Sequence, residues 1–212
     1  MIAIVDYQMG NLRSVQKAFE RVGTPAVITN SHREIRSADR LVLPGVGAFP
    51  DAMRELKQRD LISVLKDYVS EGRPLLGICL GMQLLFDSSC EFGEHSGLGL
   101  IRGTVEPFEL PDPLKVPHMG WNLSSVPTGF PDRDGHPIFG ALSKQPSYFY
   151  YVHSFYCRPI EEKCVALHAD YGGWFAGAVA QSNIVATQFH PEKSQADGLE
   201  LLRRFAMWTP GA

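Results

Sequence analysis

Pro74-Leu75-Leu76-Gly77-Ile78-Cys79-Leu80-Gly81-Met82-Gln83 passes from a buried-strand run through G-x-C-x-G into a helix-forming stretch. A strand feeding directly into a helix is the repeating unit of a parallel sheet. The turn itself is the cysteine form of a nucleophile elbow, in which a tight strand-to-helix bend holds the nucleophile in a strained backbone conformation. Gly77 and Gly81 are required because a Cβ at either would collide across the turn. A thiol here also faces the unpaired N–H groups of a helix start, which favour the thiolate. Read alone, the same ten residues suit a buried structural cysteine between packing glycines equally well.

The neighbouring sequence repeats the pattern. Ile2–Asp6 reads as a buried strand, followed by a helix over Leu12–Val22 with Val15, Ala18, Phe19 and Val22 at helical spacing. Ala26–Ile28 and Arg40–Leu43 read as further strands. Ala52–Tyr68 reads as helical with a break near Asp60, and Leu80–Phe86 as the start of another helix. The second half differs. Prolines and glycines crowd the stretch from Gly97 to Gly140, and Tyr148–Val152, Cys164–Asp170, Phe175–Gln181 and Ile184–Gln188 read as strands. Several of these are expected to be antiparallel, with a tight turn at Ser182-Asn183, before a last helix over Gln195–Trp208. The expectation is one α/β domain over 1–212: a mostly parallel central sheet with helices on both faces, flavodoxin-like, plus an antiparallel β extension.

Composition narrows the function. The 212 residues carry 20 Lys plus Arg against 23 Asp plus Glu, a formal charge of −3 without a basic stripe, which argues against a nucleic-acid partner. No apolar run reaches membrane-span length, and Ile2-Ala3-Ile4-Val5 lacks the look of a signal peptide, so a cytoplasmic protein without a membrane partner is expected. Cys79, Cys90, Cys157 and Cys164 form no C-x-x-C pair. Cys90, Cys157 and Cys164 are mostly expected to be small core hydrophobes. His32, His95, His136 and His168 have no metal spacing, and neither metal nor organic cofactor is expected.

A thiolate nucleophile needs a base, and the base an orienter. Ile184-Val185-Ala186-Thr187-Gln188-Phe189-His190-Pro191-Glu192 ends an apolar strand on a histidine expected to project from a sheet edge into a loop. Glu192 reaches the other imidazole nitrogen if Pro191 folds the chain back. A third element, Pro44-Gly45-Val46-Gly47, is a glycine-rich turn after a parallel strand, able to offer backbone N–H groups to an anion. It lacks the Lys-Ser/Thr of a P-loop, which favours half of an oxyanion hole, with Val46 or Gly47 complementing the Leu80 N–H.

Together, in this order, the Pro44-Gly45 loop, the elbow Gly77-Ile78-Cys79-Leu80-Gly81-Met82-Gln83 and His190-Pro191-Glu192 resemble the class I glutamine amidotransferase family. Further motifs are similar to those of its histidine-biosynthesis branch: Leu43-Pro44-Gly45-Val46-Gly47-Ala48-Phe49, Pro117-His118-Met119-Gly120-Trp121-Asn122, Tyr150-Tyr151-Val152-His153-Ser154 and Ala186–Ser194. The resemblance spans nearly the whole chain. It implies that Cys79 attacks the side-chain amide of glutamine, that His190 protonates the leaving ammonia and activates water, and that Glu192 orients His190. It implies oxyanion donors at Leu80 and in the Val46–Gly47 loop. Gln83, His153 and Ser154 become substrate contacts, with structural hydrogen bonding as the alternative. The ammonia is expected to pass to a separate (β/α)8-barrel cyclase subunit in a heterodimer, activated allosterically. Asn11, His118, Met119, Trp121 and Tyr150 are the expected contacts with that partner. A glutaminase serving another synthase, and a cysteine hydrolase on the same fold, remain open alternatives.

Overall fold

Strand and helix alternate from the first residues: β1 (Ile2–Val5), α1 (Leu12–Arg21), β2 (Ala26–Thr29), α2 (His32–Ser37), β3 (Arg40–Gly45), α3 (Phe49–Gln58), α4 (Leu61–Ser70) and β4 (Leu75–Cys79). These come from a computed structural model that describes residues 1–130, 136–143, 145 and 147–211. Residues 131–135 of the proline- and glycine-rich stretch lie outside it. The expected break in the long helical stretch falls at Asp60, whose left-handed φ of 54° separates α3 from α4.

The helix expected over Leu80–Phe86 is a single turn, α5 (Leu80–Gln83), after which the chain enters β5 (Phe86–Ser89). The reason lies in the carbonyls. Those of Leu84 and Leu85 accept from Leu98, Leu100 and Ile101 instead of continuing the helix. The remaining elements are β6 (His95–Ser96), β7 (Ile101–Pro107), β8 (His118–Ser125), β9 (Ser147–His153), β10 (Phe155–Pro159), β11 (Val165–Asp170), β12 (Trp174–Gln181), β13 (Ile184–Thr187) and α6 (Gln195–Met207). The strands β6, β7, β8 and β10 and the short helix α2, which takes in His32, have no counterpart in the sequence reading.

Among the described residues one sheet runs β2-β1-β3-β4-β13-β12-β11-β8-β9. Its first five strands are parallel and the other four antiparallel. A second sheet, β10-β7-β5-β6, is the β extension. The parallel strands are apolar on both faces, as a sheet covered on both sides requires. Ile2 and Ile4 pack with Val15, Phe19, Leu202 and Phe205 of α1 and α6. Ala3 and Val5 face the opposite layer, with Ile35, Leu56, Leu65 and Tyr68 of α2, α3 and α4. No described helix is long and apolar enough to cross a membrane.

This topology places the site. β4 lies between β3 and β13, with Gly45 beside Cys79 and Thr187 beside Ile78. The carboxyl ends of three adjacent parallel strands therefore open at one place, where α/β sheets bind their ligands. β13 is an interior strand rather than the expected sheet edge. It reaches that position because the Ser182-Asn183 turn, with Ser182 at φ 54°, folds it back from β12.

Candidate active site

Cys79 closes β4 with φ 55° and ψ −113°, a conformation that costs a non-glycine residue free energy and must be held by its surroundings. The holding is steric. A Cβ on Gly77 would lie 3.0 Å from both the Gly81 carbonyl oxygen and Ala186 Cβ, while one on Gly81 would run into the Leu43 carbonyl of β3. Gly81 thus lets the first turn of α5 sit directly on β3, so the elbow glycines serve packing between strands as well as the turn itself.

On the neighbouring strand, the chain leaves β13 and turns through Pro191–Lys193. His190 Nδ1 lies 2.8 Å from Glu192 Oε1. Both side chains are almost wholly buried, at 2% and 1% exposure. His190 is fastened by its backbone: its N–H donates to the Tyr150 carbonyl, and its own carbonyl accepts from Ser194 Oγ, which in turn accepts from the Tyr150 N–H. Burial alone would lower the imidazole pKa. Hydrogen bonding and charge from Cys79 and Glu192 outweigh it and hold the pKa up at about 10. His190 Nε2, on the side away from Glu192, is buried, and Cys79 is the group that acts on it. A proton-carrying nitrogen free toward the nucleophile, with the other nitrogen held by a carboxylate, is the arrangement that a nucleophile, base and orienter require.

Cys79 and His190 line one cleft of about 300 Å³, together with Leu80, Val46 and Gly47. Gln83, His153 and Ser154 line it as well, so the candidate catalytic, oxyanion and substrate residues converge. Their states differ. Gln83 Nε2 is already taken by the Phe155 carbonyl and Gln188 Oε1. In the loop after β3, Tyr7 Oη donates to the Pro44 carbonyl at 2.7 Å. A Cβ on Gly45 would strike that hydroxyl and Leu80 Cβ, so Gly45 is there for close approach. Gly47, at φ 102°, is the conformationally permissive residue of the loop, beside a Val46 that is 39% exposed.

A second imidazole site lies behind His153. Asn122 Nδ2 donates to the Asp170 carbonyl, which identifies it as nitrogen, and it also lies 3.2 Å from His118 Nε2. His118 Nε2 therefore accepts, and His118 Nδ1–H donates to His153 Nε2 at 3.0 Å. His153 Nδ1–H then donates to the Phe155 carbonyl at 2.8 Å. Burial among rings, including Tyr171 stacked on His118 at 4.1 Å, lowers the two pKa values to about 4 and about 3. Both rings are neutral near pH 7.

Of the residues expected on the surface, His118 is buried at 3% exposure and faces inward into this cluster. β8 alternates, so its neighbours Met119 and Trp121 point outward at 62% and 47% exposure. Asn11 is exposed before α1, and Tyr150 is half-buried with Lys193 Nζ 5.7 Å from its ring centre. Cys157 and Cys164 are buried and their thiol pKa values are pushed up chiefly by desolvation, as core cysteines should be. Cys90 departs from expectation and is exposed.

Glu91 is a cleft residue the sequence reading missed. It follows β5, and its Oε2 accepts from the Phe49 N–H at the start of α3 at 2.7 Å. Only the turn behind it, with positive φ at Phe92 and Gly93, marked the place in the sequence.

The model of the glutamine amidotransferase class I family matches residues 3–208. The chain is 54% identical over 206 residues to the imidazole glycerol phosphate synthase subunit HisH of Rhodopirellula baltica, with 97% of each chain covered. It is 51% identical to the subunit of the same name from Geobacter metallireducens, again covering 97% of both. Among solved structures, PurLQS from Thermotoga maritima superposes with a TM-score of 0.75 at 18% identity over 96% of both chains, a likeness of fold.

Proposed function

The chain belongs to the class I glutamine amidotransferase family, as the glutaminase subunit of an imidazole glycerol phosphate synthase, and on that premise we propose that Cys79, His190 and Glu192 are its catalytic triad. The observation that carries this reading is the strained Cys79 in one cleft with a buried His190 held by Glu192. In the reaction, the Cys79 sulfur bonds to the side-chain carbonyl carbon of glutamine. The tetrahedral oxyanion collapses as His190 Nε2–H gives its proton to the leaving nitrogen, releasing ammonia and leaving a thioester. His190, now neutral, takes a proton from water, whose oxygen attacks the thioester carbonyl and releases glutamate.

Backbone N–H groups of Leu80 and of the Val46–Gly47 loop bind the oxyanion, each worth a factor of about 10²–10³ in turnover. Gln83, His153 and Ser154 bound the substrate pocket. Glu91 brings a carboxylate to the same cleft, where a substrate ammonium group is attracted. A single domain over 1–212 carries all of these groups, with no cofactor.

The ammonia passes to the (β/α)8 cyclase subunit of the synthase, in a cytoplasmic heterodimer. Met119 and Trp121 present apolar surface to that partner, with Asn11 and Tyr150 beside it. Activation by the partner works through the oxyanion loop: Pro44 and Gly45 are clamped by Tyr7 and Leu80, so the peptide between Val46 and Gly47 is the one free to turn. A few kcal/mol of differential binding by the partner and its ligand would shift such an equilibrium. Ammonia release from glutamine by the chain alone, with cyclase, and with cyclase plus a substrate analogue tests this. Release is expected to rise in that order, and equal rates would remove the gating.

A further inference from the structure

We infer that Gln188 is a further residue of the glutaminase reaction: its side-chain amide, aimed by Gln83, holds an N–H donor on the Cys79 sulfur. This rests on the reading of Cys79 as nucleophile. Gln188 follows β13 and precedes His190 by two residues, and its side chain is completely buried. A buried primary amide is costly unless its N–H groups and its oxygen find partners, so its contacts identify its role.

The two ends of an amide are alike in shape, and the network decides which is which. Gln83 Nε2 lies 3.0 Å from the Phe155 carbonyl, an atom that only accepts, so it is a donor. The same NH2 lies 3.2 Å from Gln188, and the atom it meets must accept, which makes it Oε1. The Gln188 nitrogen is thereby turned the other way, where it lies 3.9 Å from Cys79 Sγ, within reach of a large, polarisable acceptor. The Phe155 carbonyl that starts this chain also receives His153 Nδ1–H, so it is held from two sides. Exchanging oxygen and nitrogen in Gln188 would bring two donors together at Gln83 and an oxygen toward a sulfur that carries negative charge when it attacks.

The Val152 carbonyl lies 3.9 Å from the same sulfur and only accepts, so it can hold the thiol proton but offers the sulfur no donor. Of the titratable groups, His190 at the end of β13, His153 on β9 and Glu91 after β5 line the cleft with Cys79, while Glu192 lies behind His190 and Cys157 of β10 is buried. Tyr7, after β1, and Cys157 both have pKa values raised mainly by burial and further by Cys79, so both stay neutral near pH 7. Gln188 is a neutral donor whose hydrogen bond does not depend on protonation. In the first step it stabilises the attacking sulfur. It then stays in place for the second step, when the sulfur leaves the acyl carbon as His190-activated water attacks.

The test uses the full chain with Cys90→Ser, which removes the exposed competing thiol. Glu at 188 keeps the acceptor for Gln83 but puts an oxygen against the sulfur, while Met keeps the volume and has no donor. In Gln188→Glu and Gln188→Met, alkylation of Cys79 by iodoacetamide at neutral pH is expected to slow ~10-fold, since reaction follows the thiolate. In complex with the cyclase, kcat for glutamine hydrolysis should fall by a similar factor with KM within about twofold, the pattern of an interaction that does not bind substrate. Gln83→Met leaves Gln188 in place without its orienting donor and should slow alkylation about threefold. Wild-type alkylation and kcat in a folded Gln188→Glu protein would overturn the inference, as would a raised KM with kcat unchanged. If neither Gln188 variant folds by circular dichroism, alkylation in Gln83→Met decides alone, and an unchanged rate overturns it. Cys79→Ala separates the two readings: glutamine hydrolysis surviving in it defeats the nucleophile assignment itself.

Discussion

His190 and the His118–His153 pair lie beside the same cleft and are all nearly inaccessible to solvent, yet their pKa values move in opposite directions. His190, at the end of the parallel half of the sheet, has a thiol on one side and a carboxylate on the other. His118 and His153, on the antiparallel strands β8 and β9, have each other, a carbonyl and aromatic faces. Desolvation acts against charge at all three rings. An anionic neighbour reverses it at one, and the absence of such a neighbour lets it prevail at the other two. The fold thus keeps one imidazole ready to carry a proton and two that serve as neutral hydrogen-bond relays.

The comparison breaks most sharply at the sulfur. Cys79→Ala should lower glutamine hydrolysis by at least ~10⁴-fold while leaving fold and partner binding intact, since alanine keeps the small volume at the elbow. Product formation by the complex from ammonium salts at high pH should survive, measured in the same preparation. On the parallel side, His190→Ala should cost more in kcat/KM than Glu192→Gln, because an amide oxygen can still accept from Nδ1 but no longer stabilises the imidazolium. About 10³–10⁵-fold is expected for the first and about 10²–10³-fold for the second. A larger loss in the glutamine variant would make Glu192 more than an orienter.

Proton linkage sharpens the contrast. The raised pKa of His190 stabilises the fold at low pH, fully below the unfolded value near ~6.5, and the contribution disappears as pH rises through about 10. The stability gap between wild type and Glu192→Gln should therefore narrow between pH 6 and pH 10.5 in urea titrations. The depressed pKa of His153 does the reverse. Its contribution is present above the unfolded value near ~6.5 and is lost as pH falls toward about 3. His153→Gln should be less stable at pH 7, and its stability should fall less steeply between pH 6 and 4, by about 1.4 kcal/mol per pH unit. Cys90→Ser, outside both sites, should change neither stability nor turnover measurably.

The two halves also differed in how far they could be read from sequence. The parallel half announces itself because its strands are apolar on both faces and its helices keep a clean apolar stripe, as in Val15, Ala18 and Phe19. β8 hides because its polarity is inverted: His118, Asn122 and Ser124 turn inward while Met119, Trp121 and Leu123 are exposed. The ordinary rule for strand alternation therefore assigns the wrong face. Cys79, His190 and Glu192 were legible as candidates because each lies in a short local motif with glycine or proline around it. Glu91 and Gln188 were not, because what places them is contact with Phe49 and with Gln83, residues 42 and 105 positions distant.

The position of β13 has a consequence for biosynthesis. It inserts between β4 and β12 and brings His190 to Cys79 from more than a hundred residues downstream. While the chain is still emerging from the ribosome, β4 is the unpaired margin of a four-stranded parallel sheet, and its elbow has a thiol without a base. With Cys79 and His190 as the proposed nucleophile and base, the growing polypeptide gains its glutaminase site only once β13 has docked and nearly all of the chain has been translated. That same docking covers the apolar margin of β4, which would otherwise recruit strands from other nascent chains. On that proposal, closure of the sheet and assembly of the site are one event.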